Sequence, residues 1–472
     1  MITDFNPPKI KNDSAGIFSP LDCWEYEEAL QEGWRGKVEY PPIGLSITPL
    51  GGLHSIGGPN CWAIEYEAQQ ILLDCGKKIS ENGDRVENEA SPYTYPAFNK
   101  IAPSRLLGVF LTHGHYDHLA ALPHLLSTTK RHGVVLKVWG TSVTVEIARH
   151  LLSNAYADQF FGFDWEKWIE FNVITEEDSA EGIRVGNFLI VPFPVYHSIP
   201  QAVGFLVMVS GPRAVCYPGD FKYLKTNEED LERTSRIFRL IGTNLVDVLI
   251  LDSTNVDMEG YTPPLSTALK EFEKIFAHPD MKNRKIYIST FSSNGEFIED
   301  VATLAARHFS RPVMYKGTTM LSFSTFFGLH KIQPSVSLAP PVIFITGCQG
   351  EPQAALTKLA YGTDWELTPN DVVIIAAREI PSNQHRIREM ISLLRQKVYK
   401  VITSAENDKI HVSGHGSRQD LIQAVGDFCP RIVVPAHGGK ENLLKLANAI
   451  KCTPYPRQPF VRIIREGETL TV

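Results

Sequence analysis

An α/β protein built from layered sheets is predicted by three observations. Short apolar runs of strand length recur, and several end in His or Asp: Gln69–Asp74, Leu106–His113, Val191–His197, Ala214–Asp220 and Arg431–His437. From 256 to 410, runs such as KIYISTF, PVIFITG and DVVIIAA alternate with amphipathic segments such as GEFIEDVATLAARHF and RIREMISLLRQK, which implies a mainly parallel sheet with helical crossovers. The chain has 472 residues, 43% of them hydrophobic and 21% charged, ordinary for a globular protein and enough for about two to four domains.

In chain order, residues 1–45 carry Pro7-Pro8, Pro20 and Pro41-Pro42 around one short helix expected at 23–34, and read as an N-terminal extension. Residues 46–76 alternate as strands with Gly turns between them, and 77–100 form a polar loop containing Pro. A buried strand is expected over Leu106–Leu111, followed by helices at 119–129 and 141–155. A charged helix and then the strand VDVLILDST fill 220–255.

The stretch LLGVFLTHGHYDH (106–118) carries the most chemistry. Its apolar run delivers His113, His115, Asp117 and His118 onto a short turn, where side chains at i, i+2, i+4 and i+5 converge on two neighbouring ions. Imidazole with carboxylate suits zinc or manganese, and a ligand set the protein leaves incomplete points to an activated water. Four side chains are too few for two metals, so other strands must contribute. His197 follows an apolar stretch, Asp220 lies in a Gly-Asp turn where its carboxylate could bridge two ions, and His437 ends a further strand. Asp74, at the end of QQILLDCG, is placed to orient a ligand His through its second ring nitrogen.

Taken in order, Asp74, the HxHxDH run, His197 and Asp220 resemble the metallo-β-lactamase fold. LDSTNVDMEGYTP (251–263), ISTFSSN (288–294), TGCQGEP (346–352), HVSGHGS (411–417) and VPAHGG (434–439) narrow the resemblance to its β-CASP branch, and most closely to the ribonuclease J family. The match runs from about Gly51 to Val472. It implies a metallo-β-lactamase αββα sandwich over 46–255, a β-CASP domain with a parallel α/β sheet inserted at 256–410, and a return to the first domain over 411–472. The sequence reads through VRIIREGETLTV without the family's usual small C-terminal domain, which is therefore expected to be lacking. Two single residues and one run depart from the family pattern: Tyr116 inside the metal loop, Lys440 after His437-Gly438-Gly439, and REIPSN at 378–383.

The resemblance implies two divalent ions, Zn²⁺ first and Mn²⁺ second. His113, His115 and His197 would hold one, Asp117, His118 and His437 the other, and Asp220 would bridge them. Asp117 counts among the catalytic residues as well. His415 resembles the β-CASP general acid, with Asp252 as its acidic partner. His411, Ser413 and Gly414 are implied in a pocket for a terminal or scissile phosphate. Lys316 and Arg378 are further cations that could meet an RNA backbone, or plain surface charges. The expected activity is 5′-to-3′ exonucleolysis of single-stranded RNA, with endonuclease activity beside it, in RNA processing and decay. A nuclease for single-stranded DNA or a specialised RNA, and a non-catalytic scaffold of RNA processing, are the alternatives.

The net charge of −7 and pI near 6.1 oppose tight non-specific duplex binding. Two bound dications would place about four positive charges where phosphate sits, which softens the objection. Seven Cys without a CxxC pair read as reduced thiols, and neither a secretory signal nor an apolar run of membrane-spanning length is evident, so a cytoplasmic protein is expected. A second copy of the chain is the expected protein partner, weakened by the absent C-terminal domain that commonly supports dimers.

Overall fold

A computed structural model describes residues 44–472 except 54, 79–93, 158–161, 211–212, 225–226, 244–245, 338, 364–366 and 381–382. The helix expected at 23–34 and nearly all of the N-terminal extension lie outside the described residues.

Among the described residues six strands come first: β1 (Ser46–Gly51), β2 (Cys61–Tyr66), β3 (Gln69–Leu73), β4 (Leu106–Phe110), β5 (Leu136–Gly140) and β6 (Ile169–Val173). Five follow: β7 (Ile183–Val185), β8 (Phe188–Pro194), β9 (Val203–Val209), β10 (Arg213–Tyr217) and β11 (Val248–Asp252). Next come β12 (Ile286–Ser289), β13 (Val313–Lys316), β14 (Val342–Ile345), β15 (Val372–Ile375) and β16 (Lys400–Thr403), then β17 (Ile432–Ala436), β18 (Phe460–Val461) and β19 (Leu470–Thr471). They form three sheets, ordered β19-β1-β2-β3-β4-β5-β6, β18-β17-β11-β10-β9-β8-β7 and β13-β14-β12-β15-β16.

The first two sheets face each other. Trp62, Ile64 and Phe110 of one meet Phe188, Phe205, Val207 and Val434 of the other. In β9 all seven residues are buried. Val203, Phe205, Val207 and Val209 enter this inner core, while Leu206 and Met208 face the opposite way, the period-two alternation of a strand covered on both faces. Each such side chain contributes about 1.5–3 kcal/mol by leaving water. Helices Leu122–Arg131 and Ser142–Ala157 cover the outer face of the first sheet. Helices Glu228–Gly242, Arg418–Phe428 and Lys440–Cys452 cover that of the second. The result is the αββα sandwich.

All five strands of the third sheet are parallel, with β12–β14, β12–β15, β13–β14 and β15–β16 in parallel register. Helices pack on both of its faces. This sheet is the inserted α/β layer, entered after β11 and left after β16. The chain then rejoins the second sheet through β17, which pairs in parallel with β11.

Two local expectations need correcting. The short turn expected to carry the metal ligands is in part helical: Tyr116–Leu119 make one α-helical turn holding Asp117 and His118. The third-sheet region also holds helices at Thr318–Phe326, which has no marked amphipathic repeat, and at Ala355–Tyr361. Phe323 of the former joins the outer core of the first sheet beside Ile199, so its packing is set by another domain. No helix among the described residues is long and apolar enough to cross a membrane.

Candidate metal centre

Six strands of the sandwich end at one edge, and each delivers a predicted site residue there. β3 leads to Asp74, β4 to His113, His115, Asp117 and His118, β8 to His197, β10 to Asp220, β11 to Asp252 and β17 to His437. The loop 411–417 adds His415. Its far end is pinned by Asp420, whose carboxylate accepts from Ser417 N at 2.9 Å, Tyr223 N at 2.9 Å and Thr262 N at 2.8 Å.

Three groups of ligand atoms converge. The first is His113, His115, His197 and Asp220, the second Asp117, His118 and His437, and the third Asp220, Asp252, His415 and His437. In the first, His115 Nδ1 lies 3.0 Å from His113 Nε2 and 3.1 Å from His197 Nε2. In the second, Asp117 Oδ2 is 3.2 Å from His437 Nε2 and 4.0 Å from His118 Nε2. Asp220 Oδ2 stands between the groups, 3.2 Å from His118 Nε2, 3.6 Å from His437 Nε2, 3.8 Å from His113 Nε2 and 3.9 Å from His197 Nε2.

Outer contacts turn the imidazoles of His113, His118, His197 and His437 so that a lone pair faces inward. His197 Nδ1 lies 2.8 Å from the carbonyl of Gly414, which can only accept, so Nε2 is left bare. A Cβ at Gly414 would stand 2.7 Å from His197 Cε1, so this approach requires glycine. His118 Nδ1 donates to Asp74 Oδ2 at 2.7 Å. Asp74 also accepts from Thr112 N at 2.8 Å, Thr112 Oγ1 at 2.9 Å and Tyr217 OH at 2.9 Å. Having given its hydrogen to Asp74, the Thr112 hydroxyl accepts from His113 Nδ1 at 2.9 Å. The same device recurs at the other carboxylate. Thr254 Oγ1 donates to Asp252 Oδ1 at 2.6 Å and faces His437 Nδ1 at 2.7 Å, while Asp252 Oδ2 takes His415 Nδ1 directly at 2.8 Å.

Asp74 and His437 both adopt the left-handed region, with φ of 61° and 51°. For side chains with a Cβ this costs about 1–3 kcal/mol each and persists where surrounding bonds over-determine it. Replacing Asp74 with Asn should lower metal affinity about 10–100-fold, because an amide offers one acceptor oxygen to four donors. Competition of the variant with a chromophoric chelator measures this, and an unaltered affinity would remove Asp74 from the site.

The electrostatics divide the site in two. Burial pushes the His113 and His197 imidazoles well below their ordinary value, and holds His115 near 4 despite Asp117 and Asp220. These three are neutral, and a single proton on His115 Nδ1 can serve only one of its two close nitrogen contacts. Converging lone pairs of this kind fit a cation. On the other side burial is outweighed by carboxylates: Asp220, Asp74 and Asp117 raise His118, and Asp220, Asp117 and Asp252 raise His437 to about 9. Burial raises Asp117 and Asp220, but the surrounding imidazoles outweigh it and hold both carboxyls below their ordinary range. An excess of carboxylate that draws protons onto imidazoles also draws metal. The set of imidazole N and carboxylate O suits a borderline divalent ion. The described residues thus have the donor set of a divalent-metal site.

His415 sits at its rim, half-buried. Burial would lower its pKa, but Asp220 and Asp252 outweigh burial and raise it above the ordinary value. Ser413 lies beyond, its Oγ accepting from Asn255 Nδ2 at 2.8 Å and His415 N at 3.1 Å, and the half-buried His411 has its Nδ1 unpartnered among the described residues. Sequence reasoning missed Thr112, Thr254, Tyr217 and Asn255. Thr112 and Thr254 stand inside the quoted motifs, but their part depends on which strands are neighbours.

Family models match in three consecutive blocks: a beta-lactamase superfamily domain over residues 69–284, a ribonuclease J beta-CASP domain over 283–394, and a Zn-dependent metallo-hydrolase RNA specificity domain over 401–456. The chain is 26% identical over 463 residues to "Ribonuclease J" of Pyrococcus abyssi, covering 91% of this chain and 97% of that protein. It is also 26% identical over 447 residues to "Ribonuclease J" of Synechocystis, covering 90% of this chain but 65% of that longer protein. Among solved structures, a protein of unknown function from Enterococcus faecalis superposes over 91% of this chain with a TM-score of 0.61 at 14% identity, which speaks to the fold alone.

Proposed function

The chain belongs to the ribonuclease J family, and from that membership we propose that it hydrolyses single-stranded RNA from the 5′ end, releasing nucleoside monophosphates, with internal cleavage as a second mode. The family places it among metal-dependent ribonucleases of RNA processing. The observation that carries the finer reading is the His415–Asp252 pair beside Asp220, at the point where two clusters of ligand atoms meet.

His113, His115 and His197 would hold one divalent ion, Asp117, His118 and His437 the other, and Asp220 would reach both, with Zn²⁺ preferred over Mn²⁺. Bound there, such ions would supply charge to offset the phosphodiester's and a water of lowered pKa. The protein's own groups supply the rest. Asp252 holds His415 through Nδ1, which leaves Nε2 as the atom that gives its proton to the departing 3′ oxygen. Thr112 and Thr254 keep His113 and His437 in the tautomer that bares Nε2. His411, Ser413 and Gly414 border the place of the phosphate at the chain end or the scissile bond. The reading includes a cytoplasmic enzyme, in keeping with six free cysteines among the described residues, acting alone or as a homodimer.

The test is incubation of 5′-monophosphorylated single-stranded RNA, labelled at either end, with Mn²⁺ or Zn²⁺, beside a His113→Ala/His115→Ala variant and a DNA oligonucleotide of the same sequence. Mononucleotides released from the 5′ end by the wild type and not by the variant are expected. Preferred cutting of DNA, or no cutting by metal-loaded protein, would overturn the reading.

A further inference from the structure

The five strands of the third sheet are parallel, so all of them start at one end. That end is turned away from the metal centre, because the opposite end carries Arg378, whose Nη1 donates to Asn255 Oδ1 of the first domain at 3.1 Å. Ile286, Val372 and Lys400 open β12, β15 and β16 in one rung. Just ahead of β12 the chain reads KNRK at 282–285, and RQKVYK at 395–400 leads into β16, so the sheet sets two basic runs side by side. Arg284 locks them together. Its guanidinium lies 3.4 Å from the centre of the Tyr399 ring, and it donates through Nε to Asp280 O at 2.7 Å and through Nη1 to Asn370 O at 3.2 Å. Tyr399 N donates to Asp371 O at 2.9 Å and its hydroxyl to Asp280 Oδ2 at 3.2 Å. Tyr399 is still 45% exposed, so the ring face away from Arg284 is open.

Two acids are bonded into this surface. Asp371 is buried and pairs with Lys285 at 3.3 Å, and Asp280 takes the Tyr399 hydroxyl. Lys282 and Lys400 are exposed and have no ion pair among the described residues. Residues 301–350, which include β13 and β14 on the flank, contain no Asp or Glu and bring Arg307 and Lys331 toward the same end. A cation in the last turn of a helix answers the helix dipole, which accounts for Arg307. Arg284, Lys285 and Lys400 stand at strand starts, where no helix end calls for them. In a chain of net charge −7 this end is therefore a positive pole. Cations around an open aromatic face suit single-stranded nucleic acid, which brings phosphates and bases together. An acidic peptide would meet the cations and leave the ring unused.

We propose that the amino end of the third sheet is a second RNA-contact surface, remote from the metal centre, where substrate beyond the cleft lays phosphates on Lys282 and Lys400 and a base on Tyr399. RNA as the ligand rests on the ribonuclease reading above. The experiment measures binding of polyuridine of about 40 and about 6 nucleotides, with EDTA present to prevent turnover. Lys282→Ala/Lys400→Ala should weaken the long RNA about tenfold at low salt. It should also flatten the plot of log affinity against log salt by about 1.4, about 0.7 for each lost phosphate contact. Tyr399→Leu should weaken the long RNA about fivefold or more, and Tyr399→Phe, which keeps the ring, should not. All three variants should bind the short RNA as the wild type does. Wild-type affinity and salt dependence for the long RNA in the double variant, or equal losses on long and short RNA, overturn the proposal. Polyglutamate that displaces the long RNA as well as unlabelled RNA does, at equal charge, also overturns it. Cleavage of the short RNA with metal present tests the ribonuclease reading separately, because that RNA does not reach this surface.

Discussion

Asp220→Ala is expected to lower RNA cleavage about 10³-fold or more and to strip metal from the protein. Its Oδ2 is the atom that approaches nitrogens of both clusters, at 3.2 and 3.6 Å on one side and 3.8 and 3.9 Å on the other. Without it, the His113 and His197 nitrogens have no carboxylate in their cluster, and Asp117 alone is left beside His118 and His437. Electrostatic attraction for a cation then falls on both sides at once, which is why this change should exceed the loss of any single His. Elemental analysis of dialysed protein, read beside the cleavage rate, checks both parts. Wild-type metal content with wild-type cleavage in Asp220→Ala would remove the bridging role. Circular dichroism of the same sample shows whether the sandwich survives, as it should when a side chain at the edge of the sheets is truncated.

His415→Ala should leave metal content near that of the wild type while lowering RNA cleavage about 10²–10⁴-fold, the usual contribution of a positioned proton donor. The reason is local: His415 stands at the rim, bonded through Nδ1 to Asp252, and in the proposed reaction it is the proton donor. An aryl phosphodiester, whose leaving group needs no proton, separates this from a general effect. The variant should lose far less on that compound than on RNA. Equal losses on both would mean that His415 positions the substrate and does not protonate it. Asp252→Asn should follow His415→Ala on RNA and also disturb His437, because Thr254 Oγ1 links the same carboxylate to that ring.

The strands and their polar ends were legible because both are local. An apolar run broken by His or Asp needs no knowledge of the rest of the chain, and the strand expected at Leu106–Leu111 is β4, one residue shorter. The alternation after residue 256 likewise became a parallel sheet. The helix at Thr318–Phe326 escaped because its apolar residues serve two cores, with Met320 in that of the third sheet and Phe323 in that of the first. Its periodicity is blurred for the same reason. The pairing of β19 with β1, Ser46 opposite Thr471, joins the two ends of the described chain, and no short window could reveal it.

By itself the sequence determined which side chains offer metal-ligand atoms and which strands carry them, since ligand chemistry and hydrophobic period are written residue by residue. The tertiary structure alone decided how they meet. That one carboxylate stands between two clusters, that Thr112 and Thr254 relay Asp74 and Asp252 to ring nitrogens, and that Arg378 crosses from one domain to Asn255 of another all depend on neighbours far apart in the chain. Hydrogen bonds and ion coordination act over about 3 Å. Only the packed sheets set distances of that size between residues hundreds of positions apart.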